Sequence, residues 1–171
     1  MDLMNKDKAI SRWYMAGLRV RYQETDQMAV VYHSNYLNWF EIGRTEMIRA
    51  LGFDYKGMEE EGVLLPVVDA NLKFKQPARY DDQIAVFTRM TAFSPLRLGY
   101  AYEVRRLQPG EEQSKKIWEN DEPLPGELLV TGSTSHVWVD LSWRPARLDK
   151  KLPNLYNALN GILLKERRQG Q

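Results

Sequence analysis

The chain has 171 residues, with 24 Lys and Arg against 23 Asp and Glu and a formal net charge of +1. That length suits one domain and leaves little room for a second, and the near-balance of charge argues against a general binder of nucleic acid or acidic membrane that works by neutralising phosphates. The absence of cysteine excludes a disulfide framework, thiolate catalysis, Cys-ligated zinc and iron–sulfur clusters, leaving two His, about a hundred residues apart, for imidazole chemistry and a poor basis for a metal site.

From Met1 to Tyr14 charges alternate with isolated apolar side chains, without the apolar run and small-residue cleavage site of an export signal. The longest uncharged stretches, 27–40 and 128–139, carry Gln, Asn, Ser, Thr and His and fall short of the ~20 apolar residues that span a bilayer. The expectation is a soluble, cytoplasmic protein of one domain over 1–171. Its core covers about 18–141, between an N-terminal extension (1–16) and a C-terminal tail (142–171).

In chain order, Leu18-Arg19-Val20-Arg21-Tyr22 alternates apolar with charged residues and predicts a first strand with one buried face. Glu24 to Gln27 breaks it with turn formers. Ser34 or Asn35 then caps a helix that runs to Leu51 and is closed by Gly52. On that helix Tyr36, Phe40, Gly43, Met47, Ala50 and Leu51 cluster, flanked by Leu37, Trp39, Ile42 and Ile48. Only Asn38, Glu41, Thr45 and Arg49 make a clear polar strip. So wide an apolar arc calls for a concave partner, such as a curved sheet.

The rest reads mainly as strand. From Leu64 the even positions Leu64, Val68, Ala70, Leu72 and Phe74 are apolar, while Asp69, Asn71, Lys73 and Lys75 face the other way. Gln83–Ala92 and Arg97–Leu107 predict the third and fourth strands. Residues 108–126, with three Pro, two Gly and seven charges, read as an exposed connection. Leu128–Leu141 predicts a fifth strand, with a small-residue centre at Thr131-Gly132-Ser133 where another element can pack closely. After Pro145 and Pro153, Leu155, Tyr156, Leu159, Ile162 and Leu163 have helical spacing. The layout is α+β, an antiparallel five-stranded sheet around one long helix with a C-terminal helical tail.

No nucleophile elbow, phosphate-cradling loop, dinucleotide fingerprint or H-E-x-x-H is present. The segment that concentrates chemistry is 22–36, which brings Asp26, His33 and the phenol of Tyr22 to a loop feeding a helix N-terminus, where unpaired N–H groups favour negative charge. There a carboxylate can activate water or attack an activated carbonyl itself. The same Asp, after Thr in a turn, also suits an Asx-turn. His33 so near the helix start suits a cap, and Tyr22 an ordinary strand aromatic. His136, among small strand residues, reads as structural, and Glu46 as the partner of Arg49.

The run Arg19-Val-Arg-Tyr-Gln-Glu-Thr-Asp26, with Val30-Val-Tyr-His33-Ser-Asn-Tyr36, Phe40-Glu41, Arg44-Thr-Glu46, Pro77-Ala-Arg-Tyr-Asp-Asp82 and Val137-Trp-Val-Asp140, resembles the 4-hydroxybenzoyl-CoA thioesterase branch of the hot-dog superfamily. Within it the chain is most similar to the acyl-CoA thioesterases associated with the Tol-Pal system. The resemblance implies a hot-dog fold, hydrolysis of an acyl- or aroyl-CoA to a carboxylate and free CoA, and Asp26, His33 and Tyr22 as site residues. CoA enters as substrate, so no cofactor and no metal are implied. It further implies a homodimer or homotetramer, with sites at the subunit boundary. The CoA nucleotide would lie on a basic surface, for which Lys73, Lys75, Arg97, Arg105 and Arg106 are candidates.

Where the family has Gly shortly before Val-Val-Tyr-His, this chain has Ala29, a residue that resists the torsions Gly allows. Two other functions fit the scaffold. One is hydration of an enoyl-CoA, whose hot-dog enzymes space Asp and His about five positions apart, against seven here. The other is non-catalytic acyl-CoA binding.

Overall fold

The computed structural model describes residues 9–111 and 114–164. The chain runs through β1 (Trp13–Arg19), α1 (Asn35–Ala50), α2 (Tyr55–Glu60), β2 (Val67–Phe74), β3 (Gln83–Phe93), β4 (Arg97–Leu107), β5 (Ile117–Trp118), β6 (Glu127–Val137), α3 (Leu148–Lys151) and α4 (Pro153–Gly161). The six strands form one antiparallel sheet in the order β2-β6-β4-β3-β1-β5.

The helix lies where the apolar arc requires it, in the concave face of the sheet. Tyr36, Trp39, Phe40, Gly43, Met47 and Ile48 are its buried residues. Two glycines set how closely it approaches. A β-carbon on Gly132 of β6 would stand 2.5 Å from the Phe40 ring, and one on Gly43 would stand 2.3 Å from Thr88 Oγ1 of β3. Phe40 therefore lies flat on the sheet, stacked on Tyr102 with centroids 4.1 Å apart. The small centre of β6 is the seat of the helix, as its composition predicts.

Three expectations are corrected. The first strand is Trp13–Arg19 rather than Leu18–Tyr22, and Tyr22 opens a 3-10 turn over Tyr22–Glu24. The stretch before residue 18 therefore contributes to the sheet, and Ala9 and Ser11 bond through their N–H groups to Thr91 and Met90. The sheet has six strands instead of five, because the 108–126 connection contributes β5, paired with Trp13 and Tyr14. Nor is that connection wholly exposed. Trp118 is buried against Phe87, with centroids 6.1 Å apart, in a second core with Trp13, Met15, Ala85 and Leu107 on the face away from the helix. Its charges stay at the rim while one indole supplies the cover, and this explains why β3 is nearly continuously buried.

At the other edge, β2 keeps its alternation but not the burial that alternation suggests. Val67, Val68 and Phe74 are exposed, so the open edge of the sheet is also apolar.

Candidate active site

After β1 the backbone turns through Tyr22–Glu24 and makes an antiparallel bridge between Thr25 and Val31. Between them lies a tight turn. The Asp26 N–H donates to the Val30 carbonyl (2.9 Å) and the Ala29 N–H to the Asp26 carbonyl (3.0 Å). The Asp26 carboxylate takes part through Oδ1, which accepts the Met28 N–H at 2.9 Å. This is an Asx-turn, and it fixes the carboxylate relative to the backbone. Ala29 stands at φ +62°, the left-handed conformation that glycine would supply without strain. The departure from the family pattern thus leaves the turn itself in place.

Asp26 and His33 line one cavity of about 240 Å³ with Tyr36, Phe74, Lys75 and Pro77. Its floor is the start of α1. Here the Asn35 and Leu37 N–H groups donate to the carbonyls of Tyr32 and Ser34, while Tyr36 between them faces the cavity. The far wall is held by two bonds, one to the helix and one to the loop before it. Ala78 N–H donates to the Tyr36 hydroxyl (3.1 Å), and Val31 N–H donates to the Ala78 carbonyl (2.8 Å). Burial pushes the Tyr36 phenol up from its ordinary range, more than that Ala78 N–H holds it down, so it stays protonated at neutral pH. The His33 ring packs on Tyr32, 4.3 Å between centroids.

Tyr22 is placed differently. It is 77% exposed, meets Tyr80 edge to face at 5.6 Å, and is not part of the cavity wall. Asp26 and His33 are brought together in this chain, and Tyr22 is left outside. Two larger cavities, of about 450 and 490 Å³, lie beside α2 and α4 and between β1 and α1. Neither combines a carboxylate with an imidazole, and Glu46 in the second is paired with Arg49.

The basic candidates separate as well. Arg105 is committed to Glu103 (2.8 Å) and to the carbonyls of Leu124 and Gly126. Arg106 is committed to Asp82 and Glu127, at 2.8 Å each. Lys73 pairs with Thr131 along β6 and Arg97 with Val137. Six residues of strand separate those positions by about 20 Å, so Arg97 lies at the wrong end of the sheet. Lys75 lines the Asp26 cavity and Lys73 lies two positions before it in β2.

His136 is buried as a neutral ring. Its Nε2 is 2.8 Å from Thr134 Oγ1, which is 2.6 Å from the Tyr102 hydroxyl. Burial, then the nearby Arg44 charge, push its pKa down to about 4. It is a structural imidazole, as its strand context suggests.

Sequence reading named Lys75 only as a surface cation and did not bring Phe74 or Pro77 to the site; all three reach the cavity from the end of β2 and the stretch after it, a placement that no local pattern reports. It also missed Glu24, a buried carboxylate that the turn-forming character of 24–27 conceals.

A long helix cradled by one antiparallel sheet, with an acid and an imidazole gathered at its N-terminus, is a hot-dog arrangement suited to acyl transfer to water. The chain belongs to the thioesterase-like superfamily, whose family model matches residues 20–156. It is 38% identical over 142 residues, 82% of this chain and 91% of the relative, to YneP of Bacillus subtilis strain 168, which carries acyl-CoA thioesterase as a provisional name. It is 32% identical to YbgC of Escherichia coli O157:H7, an acyl-CoA thioester hydrolase, over 54% of this chain and 67% of that one. Among solved structures, a DHNA-CoA thioesterase from Staphylococcus aureus superposes with a TM-score of 0.75 at 33% identity, covering 88% of this chain and 90% of that one. These likenesses do not single out the Tol-Pal branch. No helix among the described residues is long and apolar enough to cross a membrane.

Proposed function

We propose that this protein hydrolyses the thioester of an acyl- or aroyl-CoA to a carboxylate and free CoA, with no cofactor, and that it does so in the cytoplasm. The observation that carries the reading is the pairing of Asp26 and His33 in one cavity at the N-terminus of α1, in a chain of the thioesterase-like superfamily. The names of YneP, YbgC and the staphylococcal enzyme support the substrate class.

The chemistry follows from the groups present. The ionised Asp26 takes a proton from water as the water oxygen attacks the thioester carbonyl carbon. The carbonyl π electrons move onto oxygen, and the first-turn N–H of Tyr36, with the positive end of the helix behind it, holds that charge. Collapse breaks the carbon–sulfur bond. His33 supplies the proton that lets the sulfur leave as thiol, and the proton on Asp26 returns to the imidazole through solvent. Direct attack by Asp26, through an anhydride that water then opens, needs the same ionised group. Tyr22, outside the cavity of one chain, would position substrate from the rim. Lys75 and Lys73 are the cations suited to the CoA phosphates.

The working form in this reading is a homo-oligomer built through β2. A long open edge carrying exposed Val67, Val68 and Phe74 invites pairing with a second copy. Phe74 also lines the cavity, so a partner seated there would close its open side.

The test is Asp26→Asn, assayed with a thiol reagent over a series of acyl- and aroyl-CoA esters. Turnover should fall by about 10²-fold or more, with the circular dichroism spectrum and melting temperature unchanged. A folded variant that keeps its turnover removes Asp26 from the mechanism. Tight CoA-ester binding by the parent without thiol release would replace hydrolysis with the binding function.

A further inference from the structure

Glu24 is 7% exposed, and the chemistry above gives it nothing to do. Its hydrogen bonds are unusually concentrated for one residue. Oε2 accepts the indole N–H of Trp39 at 2.7 Å, and Trp39 lies in α1 just over one turn past the helix start. Oε1 accepts the Arg21 N–H at 2.8 Å, and the Arg21 guanidinium stands 3.5 Å away. The main-chain carbonyl of Glu24 accepts the Asn35 side-chain amide (2.8 Å) and the Tyr32 N–H (2.9 Å).

These four bonds share a geometry. The segment 25–34, which carries Asp26 and His33, leaves at Glu24 and returns at Tyr32 to Asn35. Glu24 thus sits at the neck of the loop and is bonded to both of its ends and to the body of α1. Apart from Val31, which is buried in the core, the loop exposes most of its side chains, Met28 and Tyr32 among them, and has little packing to hold its shape, whereas Trp39 is 1% exposed and anchored in the core. A buried, charge-assisted bond from such an anchor transmits its position to whatever is tied to it.

We propose that Glu24 is a positioning residue. Through Trp39 and Asn35 it holds the Asp26 turn in register with the N-terminus of α1, and it touches no substrate itself. The inference rests on the reading of Asp26 as the catalytic carboxylate. A carboxylate displaced by about 1 Å from its attack geometry loses roughly 10²-fold in rate, so loosening this neck should appear in kcat rather than in KM.

The experiment compares Glu24→Gln, Trp39→Phe and the double variant with the parent and with Asp26→Asn. Glu24→Gln turns one acceptor into a donor facing an N–H, and Trp39→Phe removes the indole donor while leaving an aromatic ring in the core. Each should lower kcat about tenfold or more with KM within a factor of two. The double variant should fall no further than the worse single one, because both break the same bond. Because the mechanism needs Asp26 ionised, kcat of the parent should fall on the acid side, and in Glu24→Gln that limb should keep its position and lose only height. Loss of that limb would make Glu24 the titrating group and overturn its positioning role. So would folded variants with parental kcat, or a loss confined to KM. Should Glu24→Gln fail to fold, Trp39→Phe alone decides on kcat. An inactive Asp26→Asn beside fully active Glu24 and Trp39 variants rejects this inference and spares the Asp26 reading. An active Asp26→Asn rejects both.

Discussion

The buried imidazole of His136 sets a pH dependence on stability whose size follows from its surroundings. Nδ1 faces the Leu65 carbonyl at 3.4 Å, and Nε2 faces Thr134 Oγ1 at 2.8 Å. A carbonyl can only accept, so the ring proton belongs on Nδ1. Nε2 then accepts from Thr134, which in turn accepts from the Tyr102 hydroxyl. A second proton on the ring would remove that acceptor and set a charge into an apolar interior near Arg44, which is why the pKa stands at about 4 instead of 6.5. Because the folded pKa lies below the unfolded one, the unfolded chain binds the extra proton first. Stability is therefore intact above about pH 6.5 and is lost as pH falls from there toward 4. At ~1.4 kcal/mol per tenfold change, the full loss is about 3 kcal/mol. Urea unfolding between pH 7.5 and 4.5 measures it, with His136→Gln as the reference for carboxylates that titrate in the same range. The parent should lose stability over this window more steeply than the variant. Parallel curves, or an His136 imidazole proton resonance that titrates near 6.5 in the folded protein, would refute the reasoning.

Two further outcomes test the backbone. Ala29→Gly removes a left-handed alanine, worth ~1–2 kcal/mol, and adds unfolded-chain freedom of about 0.5–1 kcal/mol. The melting temperature should hold or rise by up to about 4 °C, with kcat unchanged, whereas a clear fall would mean that the turn does not strain Ala29. Gly132→Ala drives a methyl to within 2.5 Å of the Phe40 ring and 2.7 Å of the Asn71 carbonyl. It should cost about 1–3 kcal/mol in urea unfolding, with part recovered in the Phe40→Leu background. Full stability in the single variant would contradict the close seat of the helix.

The architecture was legible where a pattern has a single structural solution. A helix apolar over most of its circumference needs a concave partner, and a run of small residues inside a strand marks where that partner's helix touches. The two features meet as Phe40 on Gly132. Local alternation was less reliable. Residues 18–22 alternate, yet the ladder ends at Arg19 and Glu24 folds the next residues into a turn, because a buried side-chain hydrogen bond outweighs a five-residue pattern. The 108–126 segment was misjudged by its average polarity. One Trp, with Lys115 4.3 Å above its ring, covers a sheet face that the charges around it do not touch. In β2 the alternation describes an apolar surface left exposed, with Val68 and Phe74 on it.

The site was legible in part for a related reason. Asp26 and His33 lie in one continuous segment, so the loop and helix start that carry them can be read together. Phe74 arrives through β2–β6 pairing, and Lys75 and Pro77 follow it on a stretch held to Leu129 of β6, a placement that is non-local and leaves no mark near residue 26. The two readings that competed for Asp26 do not conflict once the turn is seen. The Asx-turn engages Oδ1 through the Met28 N–H, while the carboxylate still lines the cavity, and a carboxylate has lone pairs enough for both. The turn bond holds the group at a fixed angle, and a fixed angle is what attack on a carbonyl carbon requires. A bond that looks purely structural in the sequence is thus one that a catalytic carboxylate on a loop needs. That is why the neck formed by Glu24, and not the acid alone, is where changes in rate should be sought.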